Sequence, residues 1–156
     1  EANKQTLQRE SIDMVALAQE VVANLFPLAL DKQQDIELLY TQETVLYTGN
    51  RLLLSILLRN LLSNAIYYSP MHAQISVKVE ALNNGVLWAV YDSGQGVPAE
   101  DIPRLMQRFY RHQQSKDSAG TGLGLSIVQK VVELHQGKVN IYNQKTGGLA
   151  VEVVLS

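Results

Sequence analysis

The stretch from Gln74 to Asp92 leaves this chain the least freedom in choosing a fold. Residues 74–81 alternate: Ile75, Val77, Val79 and Ala81 fall on one face, Gln74, Ser76, Lys78 and Glu80 on the other. Successive side chains on a strand point to opposite faces, so this spacing predicts a strand with one face buried and one wet. Asn83-Asn84-Gly85 follows as a hairpin turn, and residues 86–92 read as the return strand. A lone two-stranded hairpin is marginally stable at best. Its apolar face requires further strands beside it and helices over it.

The rest of the chain supplies both. Residues 1–10 read as the end of a solvated helix or a linker. Asp13 can cap a helix from Met14, with Val15, Leu17, Ala18, Val21, Val22 and Leu25 on its apolar stripe, and Pro27 should kink or shorten it. Residues 36–41 and 44–48 read as short strands, and a long helix spans 50–68, stopped by Ser69-Pro70. The stretch 93–122 is rich in Gly, Pro, Gln and charge and should hold only short helical pieces. A helix over 123–135, closed by Gly137, leads to strands 138–143 and 149–155 around Thr146-Gly147-Gly148. Strands and helices mix without strict βαβ alternation. The expected class is α+β, a two-layer sandwich with helices on one face of a mixed sheet. A length of 156 residues suits one domain, drawn here as a linker over 1–11 and a folded unit over 12–156.

Composition excludes several functions. Thirteen Lys and Arg stand against 15 Asp and Glu, a formal charge of -2, which argues against a nucleic-acid binder. There is no cysteine, so disulfides, thiolate metal sites and a cysteine nucleophile are out. The apolar runs are short and interrupted, so no membrane span is expected, and the polar first residues are no signal peptide. The chain starts at Glu1 without Met and reads as a piece of something longer.

Three islands carry chemistry. In RNLLSNAIYYSP, residues 59–70, Asn60 and Asn64 share a helix face, with Tyr67 and Tyr68 a turn further on. A carboxamide oxygen suits Mg²⁺ that is otherwise held by water and phosphates, although a polar stripe at a solvent edge gives the same spacing. In Asp92-Ser-Gly-Gln-Gly96 an acid at a strand end precedes Gly94 and Gly96, which let backbone approach a ligand. Its carboxylate can read an exocyclic amine, or simply close an Asx turn. Gly120-Thr-Gly-Leu-Gly-Leu125 leads into a helix, where free N–H groups make an anion site. It is neither a dinucleotide fingerprint nor a Walker A loop.

In this order and at these separations, the islands resemble the N, G1 and G2 boxes of the ATP-binding domain shared by sensor histidine kinases, gyrase, Hsp90 and MutL. Met106-Gln-Arg-Phe-Tyr-Arg111 stands where kinases carry an F box, with Met106 in place of a more usual Phe. The wording is similar to bacterial membrane sensor kinases of the QseC and PmrB group. The resemblance implies a Bergerat-type sandwich with a flexible ATP lid over about 106–121. It implies ATP and Mg²⁺ as ligands, with Asn64 and Asn60 on the metal. Asp92, Gly94, Gly96 and Tyr68 would hold the base. Arg108, Phe109, Arg111, Gly120, Thr121, Gly122, Leu123 and Gly124 would serve the phosphates and lid.

Two departures sharpen the reading. Gyrase-type ATPases carry a water-activating Glu where this chain has Asn60, and an amide is no general base at neutral pH. Asn60 therefore favours transfer to an imidazole, which needs no strong base. The usual cation three residues after Asn64 is Tyr67 here, leaving Arg108, Arg111 or Lys116 to meet phosphate charge. None of His72, His112 and His135 sits in an acceptor context. By resemblance the chain is then the catalytic half of a histidine kinase. Its partners are a dimerisation and phosphotransfer domain of the same protein and a response regulator. The piece itself is expected to be monomeric and cytoplasmic, the full-length protein a homodimer in the bacterial inner membrane. A gyrase-like ATPase, or a nucleotide-binding module without transfer, is the alternative.

Overall fold

The hairpin read from the sequence is the centre of the sheet. A computed structural model describes residues 7–104 and 124–156. In chain order they form β1 (Glu10–Asp13), α1 (Met14–Asp31), β2 (Asp35–Tyr40), β3 (Leu46–Gly49), α2 (Arg51–Tyr68), β4 (Gln74–Leu82) and β5 (Gly85–Asp92). A 3-10 turn (Ala99–Arg104), α3 (Gly124–Leu134), β6 (Lys138–Asn143) and β7 (Leu149–Leu155) follow. One sheet has the strand order β2-β4-β5-β7-β6. β2 runs parallel to β4, and the other pairs are antiparallel. This is the expected mixed sheet with helices on one face. The expected lid lies outside the described residues.

Period two decides the faces. Ile75, Val77 and Val79 pair with Asp92, Val90 and Trp88, which continue to Val151 and Val153. The apolar members of this set are buried beneath the three helices. On the other side Ser76, Lys78 and Glu80 face the same way as Tyr91 and Glu152. There Glu152 Oε2 accepts from the hydroxyls of Tyr91 (2.8 Å) and Tyr142 (2.9 Å).

Several expectations are corrected. The strands read at 36–41 and 44–48 belong to different sheets, because β2 pairs with β4 and β3 pairs with β1. Residues 10 and 11, read within a linker stretch, are the first positions of β1. Pro27 does not shorten α1, which runs on to Asp31. The turn after it is closed from behind, with Gln33 N donating to Leu30 O (2.9 Å) and Gln34 N to Ala29 O (3.0 Å). α1 is also long and apolar enough to cross a membrane by length and composition, against expectation. Here it lays Leu17, Ala18, Val21 and Leu25 into the core. The expected cap holds: Asp13 Oδ1 accepts from Val15 N at 3.1 Å. At the end of α3 the left-handed residue is Gln136 (φ 58°), not Gly137. Gly137 instead leaves room for Val154 O, against which any Cβ would collide.

His135 ties α3 to α2. It is 1% exposed, and its Nδ1 donates to Val131 O at 2.8 Å while Nε2 accepts from Asn50 N at 3.1 Å. Both contacts suit one neutral tautomer. Burial, helped by the charge of Arg9 and opposed by the bond to Val131, holds the imidazole below its ordinary range. The unfolded chain therefore takes up this proton first as pH falls. Stability from His135 is complete above the unfolded value of about 6.5 and is lost as pH drops through it. Denaturant unfolding should show a slope of up to ~1.4 kcal/mol per pH unit below that point. His135→Gln should flatten it, and an unchanged slope would remove His135 as its source.

Candidate functional site

α2 carries the first island between two fixed ends. Asn50 caps it, Oδ1 accepting from Leu53 N at 3.0 Å. Leu54, Leu57, Leu58, Leu61, Leu62, Ala65 and Ile66 are buried, which turns Asn60 and Asn64 to the half-buried edge. Asn60 Nδ2 donates to Ile56 O, one turn back, at 2.7 Å. Its carbonyl oxygen keeps its acceptor capacity, but the amide is committed to the helix. Asn64 has no side-chain partner among the described residues. Tyr67 and Tyr68 meet edge to face, ring centroids 4.9 Å apart, and both are exposed.

The second island is built from three elements. Asp92 is paired with Ile75, a core residue, so its side chain lies on the helix side of the sheet. Oδ1 accepts from Gly94 N and from Leu149 N, both at 3.0 Å. The first bond is the local Asx closure that the sequence allowed. The second comes from β7. Both fall on one oxygen, so Oδ2 has no donor among the described residues and can accept from a ligand. Burial pushes the carboxyl above its ordinary range, opposed by the bonds from Leu149 and Gly94.

The β6–β7 turn forms the wall behind Asp92. Gln144 Nε2 donates to Asp92 O at 2.8 Å, and Gly148 (φ 93°) packs so closely on the same carbonyl that a Cβ would collide with it. Asn143 holds the loop beyond, accepting from Val97 N (3.0 Å) and donating to Val97 O (2.7 Å). Gly96 (φ 77°) lies against Asn143 Oδ1, and a Cβ on Gly94 would come within 3.3 Å of Pro70 Cδ. Each glycine thus has a packing reason inside the chain, whatever it offers a ligand. Gln144, Asn143, Gly148 and Leu149 escaped the sequence reading. Thr146-Gly147-Gly148 signals a turn, but nothing local shows that its flank meets a residue 57 positions earlier.

Gly124 begins α3 as the third island required. Gly120, Thr121, Gly122 and Leu123, with Arg108, Phe109 and Arg111, lie outside the described residues. Among the described residues no group of three His, Asp or Glu could hold a metal. An ion at Asn64 would need ligands from water and a bound phosphate, which is how Mg²⁺ is usually held.

The family described as Histidine kinase-, DNA gyrase B-, and HSP90-like ATPase matches residues 49–156, from the end of β3 through β7. The chain belongs to this family. Sensor protein kinase PmrB of Pseudomonas aeruginosa is 38% identical over 149 residues, 95% of this chain and 31% of that protein. Sensor protein QseC of Escherichia coli strain K12 is 37% identical over 142 residues, 91% of this chain and 30% of that protein. The chain therefore spans about a third of the length of these relatives. The solved catalytic domain of histidine kinase ThkA superposes with a TM-score of 0.86 at 24% identity, covering 96% of this chain and 95% of that one, which establishes the shared fold.

The ATPase-family domain holds a half-buried carboxylate at a cost. A carboxyl whose folded value lies above its unfolded one destabilises the fold at every pH above the folded value, and the penalty disappears below about 3.8. Asp92→Asn keeps the acceptor for Gly94 and Leu149 while removing the charge. It should raise the stability of the ligand-free domain at pH 7. The gain should shrink as pH falls through the raised value. Thermal unfolding across pH 4 to 8 checks this, and a stability loss at pH 7 would contradict it.

Proposed function

We propose that this chain is the ATP-binding catalytic domain of a sensor histidine kinase. It binds Mg²⁺-ATP and transfers the γ-phosphoryl group to a histidine on a separate dimerisation domain, from which it passes to an aspartate of a response regulator. The observation that carries the reading is the state of Asp92: one oxygen saturated by backbone N–H groups, the other open beside Gly94 at the end of α2. On this reading that open oxygen accepts the amino hydrogen of adenine. Membership of the ATPase family and the names of the relatives support the same reading.

The remaining roles follow by position. Asn64, without a side-chain partner among the described residues, would share Mg²⁺ with the phosphates, where the ion would supply charge neutralisation; Asn60 offers a second oxygen. Tyr68 stands at the base end of the same helix. The acceptor imidazole attacks the γ-phosphorus in line, forming an N–P bond as the bond to the β-phosphate oxygen breaks and ADP leaves with the electron pair. Catalysis is then positioning and charge neutralisation, with no base asked of Asn60. The acceptor is foreign to the described residues: His135 is buried and neutral, and His72 sits in a turn at φ 70°. His112 lies outside them. We place the domain in the cytoplasm, as part of a dimeric membrane protein.

Calorimetry separates the roles. Asp92→Ala loses a charge-assisted bond worth about 1.5–3 kcal/mol, so ADP and ATP should both weaken by ~10- to 150-fold. Asn64→Ala should weaken ATP mainly when Mg²⁺ is present. Unchanged ADP affinity in the first variant, or an equal loss without metal in the second, removes that residue from its role. For the reaction, a matching dimerisation domain and labelled ATP should give an acid-labile, base-stable phosphate. Release of free phosphate alone would point instead to a gyrase-like ATPase.

A further inference from the structure

A helix ends with carbonyls that have no intrahelical donor. At the end of α2, Ala65 O takes the N–H of Ser69 at 3.1 Å. The next carbonyls are met from the α1–β2 turn. Lys32 Nζ donates to Ile66 O (2.9 Å), Tyr67 O (3.0 Å) and Ser69 O (2.7 Å). Gln34 Nε2 donates to Ile66 O (3.1 Å), Ser69 O (3.2 Å) and Pro70 O (3.1 Å). The turn itself is shaped for this. Gln33 takes a left-handed φ of 54°, so that the residues on either side of it both reach α2. The backbones are laced as well, His72 N donating to Lys32 O and Asp35 N to Ala73 O, each at 3.0 Å.

We propose that Lys32 and Gln34 are positioning residues for the nucleotide, a pair of donors that sets where the carbonyl end of α2 stands against Asp92. This rests on the reading of the site given above. The clamped segment touches that site directly. A Cβ at Gly94 would lie 3.3 Å from Pro70 Cδ, 3.4 Å from Asp92 Oδ1 and 3.7 Å from Ser69 Cα. Tyr68 is the last residue of α2, and Asn64 is one turn before it.

The chemistry of the junction favours positioning over simple adhesion. Gln34 and Ser69 are each 3% exposed, and Gln34 Oε1 and Ser69 Oγ have no partner among the described residues. Burial also draws the Lys32 ammonium below its ordinary range. An apolar plug would escape these costs. It could not aim four peptide carbonyls within five residues (Ile66, Tyr67, Ser69 and Pro70) from one side. Both residues also precede the 49–156 span that the family shares, so the boxes do not account for them.

The test compares Lys32→Met and Lys32→Arg with the unsubstituted chain, with ADP and ATP titrated with and without Mg²⁺ below the unfolding temperature of each variant. Lys32→Met should weaken both nucleotides about tenfold, in the same ratio with and without metal, because the base end is displaced. Lys32→Arg, which keeps a cationic donor, should recover to within about threefold. Undiminished ADP affinity in folded Lys32→Met overturns the proposal, as does a loss confined to Mg²⁺. So does a Lys32→Arg variant as weak as Lys32→Met. If Lys32→Met does not fold, Gln34→Met, which removes the uncharged half of the clamp, is judged by the same criteria. Failure of the unsubstituted chain to bind any adenine nucleotide would instead overturn the proposed function.

Discussion

The period-two pleat of β5 is the constraint on which the rest depends. Val86, Trp88 and Val90 lie in the core, and the same period brings Asp92 to that face at the strand's end. The half-buried residue proposed to read the base is thus placed by the apolar residues that build the sheet. A one-residue slip of register would expose Trp88 and turn Asp92 to the wet face together. Core and site cannot be varied independently here. The carboxylate also inherits the low polarity of the core, which is why burial dominates its titration.

α2 has a different problem, since it holds Asn60 and Asn64 at a half-buried edge while its own ends need partners. Each end is satisfied from elsewhere in the chain. At the start, Asn50 Oδ1 caps Leu53 N, Asn50 Nδ2 donates to Gln8 O at 2.9 Å, and Asn50 N is taken by His135. Arg9 bridges Thr48 O and Leu134 O, both at 3.3 Å, which brings β3 and the end of α3 to the same corner. At the finish, Lys32 and Gln34 take the carbonyls. Asn60 and Asn64 therefore sit on a rod held at both ends by long-range bonds, and the leucines between them hold it to the sheet. A site on a supported helix keeps its geometry better than one on a loop.

What the sequence made legible were features encoded within a few residues. The β4–β5 hairpin, the long helix before Ser69-Pro70 and the last two strands were all readable, because apolar period and turn residues are local. Asp92 and the Asn pair could be proposed as site residues only through the order and separation of the three islands, since each island alone also fits a plain turn or polar stripe. The misses share a cause. Gln33, His72 and Gln136 take positive φ where glycine would have announced it. Their strain is offset by bonds such as His72 N to Lys32 O, which no window around residue 72 contains. Likewise β1 can be recognised only by pairing with β3, and the second donor to Asp92 arrives from Leu149.

The polar costs of the fold are not spread evenly. The raised carboxyl of Asp92, the drawn-down ammonium of Lys32, and the unpaired oxygens of Gln34 and Ser69 gather where α2 ends beside β5. Elsewhere the buried polar groups among the described residues are His135, with both ring nitrogens bonded, and Trp88 Nε1, which lacks a partner. Selection for stability alone would remove such groups, because burial costs a charge its hydration and an unpaired oxygen its hydrogen bonds. Their concentration at one corner is what a ligand-reading site requires. Donors and acceptors there must be held in place and partly dry before the ligand arrives, so that its hydrogen bonds replace missing ones rather than competing with water. The stability this corner gives up and the base recognition proposed for it would then be the same property.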